Sequence, residues 1–117
     1  MKTRTYFLAA AAACLLFFAA SASAHKVSVF AYADSGKIYT ESYFQNGDPV
    51  ANGGLKVYDS SDNLVAEGVT DNQGLFSFEI PRADDFRIVI DAGMGHKSSF
   101  TLKKSSVEAE INSGGQP

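Results

Sequence analysis

The chain has 117 residues, with 10 basic and 13 acidic side chains and one cysteine. That length supports one small domain and not two. The formal charge of −3 argues against nucleic acid and against anionic lipid headgroups as partners.

Residues 1–24 carry the features of a secretory signal peptide. Lys2 and Arg4 form a positive start, Tyr6 to Ala20 an apolar run, and Ala22-Ser23-Ala24 a small-residue cleavage pattern. The run is shorter than the roughly 20 residues that a membrane span needs; a retained anchor is the plainer alternative. Cys14 lies inside this run and is followed by Leu15-Leu16-Phe17-Phe18, which argues against lipidation. Cutting after Ala24 leaves 93 of the 117 residues, with 8 basic against 13 acidic side chains and no cysteine. The expectation is a periplasmic domain without disulfides, stabilised by a packed core, with no segment left for insertion into lipid.

From His25 onward the apolar residues alternate, the period of a strand and not of a helix. Val27, Val29 and Ala31 share one face of a first strand, and Ser28, Phe30 and Tyr32 the other. Ile38 to Phe44, rich in β-branched and aromatic residues, is the second. Gln45 to Gly54 holds Asn46-Gly47, Pro49 and Asn52-Gly53-Gly54 and reads as a loop. Leu55 to Tyr58 and Leu64 to Val69 are strands three and four. Asp71-Asn72-Gln73-Gly74 is a tight turn, leading into Leu75 to Ile80. Phe86 to Asp91 and Ser98 to Lys103 complete seven strands. Such spacing predicts an all-β antiparallel sandwich over residues 25–104. Phe76 and Phe78 are expected to point inward, with Val57, Val69, Ile88 and Ile90 as facing core residues. Residues 105–117 are polar, end in Gly-Gly-Gln-Pro, and are expected to form a flexible tail.

Cleavage after Ala24 makes His25 the first residue of the processed chain. Its free amine and its imidazole can then chelate one transition-metal ion. The other histidine, His96, sits in Gly93-Met94-Gly95-His96, where glycines flank a thioether and an imidazole. Imidazole suits Zn, Cu and Ni, and thioether sulfur suits softer ions. The candidate metal site is therefore His25 and His96, with Met94 or a carboxylate nearby. Glu41, on the strand next to the first, is the carboxylate considered. Neutral imidazoles and a deprotonated amine are required, so binding should weaken in acid. The plainer reading makes His96 an exposed loop residue and Met94 a core residue. The order His25-Lys26-Val27 excludes the amino-terminal copper and nickel motif, which needs histidine third.

Signs of catalysis are thin. There is no thiol in the processed chain and no nucleophile elbow. Asp84-Asp85 reads as a solvated turn. Asp71-Asn72-Gln73-Gly74 lacks the ligand spacing of a calcium loop. Tyr39 and Tyr43 could form a peptide- or sugar-binding face, or could simply pack with their hydroxyls at the rim.

Two stretches carry resemblances. Thr70-Asp71-Asn72-Gln73-Gly74-Leu75-Phe76-Ser77-Phe78 resembles the T-D-x-x-G-x-F-x-F signature of carboxypeptidase regulatory-like domains. That resemblance implies a seven-stranded, Greek-key, transthyretin-like sandwich and is nearly silent on function. Ala24-His25-Lys26-Val27, Ile38 to Phe44 and Gly93-Met94-Gly95-His96 together resemble small exported accessory proteins of nickel and cobalt uptake transporters of the energy-coupling-factor type. This second resemblance implies handling of Ni2+ or Co2+ outside the cytoplasm, beside membrane permease subunits. Two other functions are weighed against it. One is a non-catalytic adhesion or assembly module; the other is a Cu2+-handling protein with the same donors.

Overall fold

The computed structural model describes residues 26–114. The signal peptide expected over 1–24, Cys14 within it, the new terminus His25 and residues 115–117 lie outside that range.

Seven strands occupy the stretches that alternation predicts, with small shifts at their ends. They are β1 (Val27–Asp34), β2 (Lys37–Phe44), β3 (Gly54–Tyr58), β4 (Leu64–Val69), β5 (Leu75–Glu79), β6 (Phe86–Asp91) and β7 (Lys97–Leu102). They form two antiparallel sheets, ordered β1-β2-β5 and β4-β3-β6-β7. The chain passes between sheets after β2, after β4 and after β5. Val29, Ala31 and Ile38 from the first sheet meet Leu55, Val57, Ile88 and Ile90 from the second, all buried. Burial of such side chains, at ~25 cal/mol per Å2 of apolar surface, is the main drive to fold. Phe76 and Phe78 pack against this core, as alternation predicts.

The pairing defines two ends. Val27 lies opposite Phe44, Gly54 opposite both Val69 and Asp91, and Asp91 opposite Lys97. The starts of the odd strands and the ends of the even ones therefore share one end. β1 also packs beside β7, and the Phe30 and Phe100 rings meet edge to face at 5.3 Å.

Besides Phe76 and Phe78, three residues of the Thr70–Phe78 signature have clear structural tasks. Thr70 is buried and its hydroxyl bonds Gly53 and Val50, tying the β2–β3 loop down. Asp71 Oδ1 accepts the amides of Gln73 and Leu75, which shapes the turn into β5. Gly74 has φ +77 and lies so close to the Ser42 carbonyl that a Cβ would overlap it at 2.4 Å. Only glycine fits there without moving backbone.

Two expectations are corrected. Val69 is 62% exposed, so it faces solvent and not the core. Gly68, opposite buried Leu55, takes the inward position, and a register shift beside Val57 and Tyr58 breaks the alternation near the start of β4, between Leu64 and Ala66. The expected flexible tail over 105–117 is instead an 11-residue helix, α1 (Lys104–Gly114), through its described part. A helix this short is marginal by itself. Its Val107 is fully buried, its first amide donates to Asp85 Oδ1 at 2.7 Å, and Glu110 accepts the Ser35 amide. It covers the end of the sandwich where β1 turns into β2. The loop expected at Gln45 to Gly54 is present, but its Val50 is 1% exposed and belongs to the core. No helix of the described residues is long and apolar enough to cross a membrane.

Candidate functional site

The Ala92–His96 loop joins β6 to β7 at the end opposite α1. Asp91 and Lys97 pair across its base, with their charged groups 3.7 Å apart. The Ala92 amide donates to the His96 carbonyl at 2.8 Å, and the His96 amide to the Gly93 carbonyl at 2.9 Å. Gly93 donates to Asp91 Oδ1 at 2.9 Å. Closing so tight a loop takes three consecutive positive φ values, +86 at Gly93, 54 at Met94 and 82 at Gly95. Glycine bears this freely; methionine does not. Met94 is nonetheless held at the tip and is 98% exposed, so it is not a core residue.

His96 is half-buried beneath this tip. Its Nδ1 is shielded from solvent and has no hydrogen-bond partner among the described residues. Buried polar atoms usually have one, and leaving one without costs free energy. The loop therefore supplies one imidazole and one thioether close together in sequence, a borderline-to-soft pair suited to late first-row ions. Two donors do not hold such an ion firmly. The described residues contain no group of three or more His, Cys, Asp or Glu that could hold a metal. Any further donors would have to come from elsewhere in the chain.

His25 lies outside the described residues, but β1 can be placed. Its first residue, Val27, pairs with Phe44, and the preceding Lys26 carbonyl accepts the Gln45 amide at 3.0 Å. β1 and β7 run side by side away from the same end. Lys26 therefore stands at the end of the sandwich that carries the Ala92–His96 loop. Glu41 is placed elsewhere. It projects from the middle of β2, beside Phe30 and Leu75, on the outer face of the first sheet. Its Oε1 accepts the Tyr43 hydroxyl at 2.7 Å, and this bond to a carboxylate raises Tyr43 above the ordinary phenol range.

The outer face around Glu41 carries more aromatic surface than Tyr39 and Tyr43 alone. Tyr32 lies opposite Tyr39 in register, and their rings stack at 5.5 Å and 19°. Phe30 stands next to Tyr32 at 6.1 Å. Alternation already puts Phe30 and Tyr32 on one face. Their meeting with Tyr39 depends on register, which is set by the Asp34–Lys37 turn.

The densest polar cluster sits at the α1 end. Asp59 is buried in the β3–β4 turn, accepting the Ser61 and Asn63 amides at 2.9 Å each and pairing with Arg82. The Asn63 amide first, then that of Ser61 and the Arg82 guanidinium, hold its carboxyl below the ordinary range. With every oxygen engaged by the fold, Asp59 is a structural carboxylate.

Fold and site together define an all-β protein of two packed antiparallel sheets with a donor-bearing loop at one end. A protein of Haemophilus influenzae, described only as uncharacterized, is 32% identical over 111 residues, covering 92% of this chain and 67% of that protein. The chain belongs to the same family as that protein. No family model and no solved structure matches it.

Proposed function

We propose that this is a periplasmic, non-catalytic metal-binding protein that supplies Ni2+ or Co2+ to the permease subunits of a membrane uptake transporter. The ion is held by the amine and imidazole of His25, once the signal peptide is removed, and by the imidazole of His96. Met94 is a candidate additional donor. The observation that carries this reading is the position of the Ala92–His96 loop. It shares an end of the sandwich with the start of β1, two residues after His25. The left-handed backbone at Met94 and the His96 Nδ1 without a partner among the described residues support it further, since both are costly unless something else engages them. Glu41 has no part in this reading, because it stands on the outer face of the first sheet.

The chain's passages between sheets and the tasks of Thr70, Asp71 and Gly74 also support reading the sandwich as a Greek-key, transthyretin-like domain. Preference for nickel over copper would not come from donor affinity, since Cu2+ binds most nitrogen sites more tightly. It would come from metal supply and from the transporter. The test is to titrate Ni2+ into protein beginning at His25 and into protein with one extra residue before it. The processed form should bind at least about tenfold more tightly, because the extension removes the amine chelate. Equal affinities would rule out amine coordination.

A further inference from the structure

We infer that the outer face of the β1-β2-β5 sheet is a docking surface for a basic segment of a partner protein, with a lysine or arginine side chain seated beside Glu41. This inference goes beyond the metal reading and uses different residues. Phe30 and Tyr32 are 51% and 40% exposed and lie next to each other on β1. Together with Tyr39 they make a continuous aromatic strip, with Glu41 directly across from Phe30. A shallow hollow of about 270 Å3 opens between Tyr32, Tyr39, Glu41, Asp71 and Leu75.

The chemistry of this hollow selects a cation. Aromatic faces attract ammonium and guanidinium groups through their quadrupole, and Glu41 adds a full negative charge among them. Tyr43 fixes one oxygen of that carboxylate. Among the described residues no salt bridge reaches Glu41. The cations nearest this face stand at the two ends of its strands, Lys37 across from Asp34 and Glu79, and Lys26 just before β1 beside Gln45. An anionic partner would meet Glu41 and Asp71 with no cation among the described residues lining the hollow to offset them. The outer face of the other sheet differs in kind. There Lys56 stands opposite Glu67 and Lys97 pairs with Asp91, so cations and carboxylates are interspersed. A neutral glycan fits less well, because Tyr32 and Tyr39 each turn one ring face toward the other and not toward a sugar.

The test is an NMR titration of the processed protein with a tetra-arginine amide peptide at low salt, with a neutral tetrasaccharide run in parallel. The peptide should shift signals of Phe30, Tyr32, Tyr39 and Glu41, and its affinity should fall as salt rises. Glu41→Gln should weaken binding about tenfold, and Tyr32→Ala should also weaken it. Glu108→Gln, on α1, should leave it unchanged, separating this site from general attraction to an acidic chain. The inference is overturned if the peptide does not bind. It is equally overturned if Glu108→Gln matters as much as Glu41→Gln, or if the sugar and not the peptide moves these signals.

Discussion

Asp59 shows how much one side chain can organise. Its carboxylate ends the β3–β4 turn and anchors Arg82 from the loop before β6. Folding lowers its pKa, so the unfolded chain takes up a proton before the folded one does. The stabilisation is therefore complete above the ordinary carboxylate range and is lost as pH falls through the lowered value. Asp59→Asn should unfold at a lower temperature than the parent at neutral pH. The gap should narrow as both are melted at progressively more acid pH. A gap that stays constant with pH would mean that the charge is not what matters.

At the scale of elements, most of what the strands do is legible in their own residues. Alternation in β1, β2, β5 and β6 marks the inward side because each has a side chain at every position. β4 misleads because the position that faces inward, Gly68, has no side chain, so Val69 looks like the residue to bury. α1 is hidden for another reason. Its sequence is polar, and what makes it a helix lies elsewhere in the chain: Asp85 at its first turn and the space that Val107 fills. Val107→Ala should cost about 2 kcal/mol, from lost burial and the cavity left behind, and should loosen α1 first. Urea unfolding gives the cost, and hydrogen exchange of the helix amides reads the loosening. A cost near zero would mean that α1 contributes little to the fold.

For the whole molecule, the two ends of the sandwich have different roles. The end with α1 is closed by a helix, a buried carboxylate and ion pairs. The other end carries the glycine-rich loop, with Met94 out in solvent and His96 beneath it, and β1 begins there. The sequence names both His25 and His96 but says nothing about their separation in space, because seventy residues of strand and turn lie between them. Topology puts Lys26, the residue after His25, at the same end as the Ala92–His96 loop, and Glu41 out on the face of the first sheet. The most direct test is to add Co2+ to isotope-labelled protein beginning at His25 and follow paramagnetic broadening of its amide signals. Residues 26–28 and 92–97 should broaden first, while those around Asp59 and Val107 stay sharp. Broadening centred on the α1 end, or spread evenly over the chain, would contradict the account.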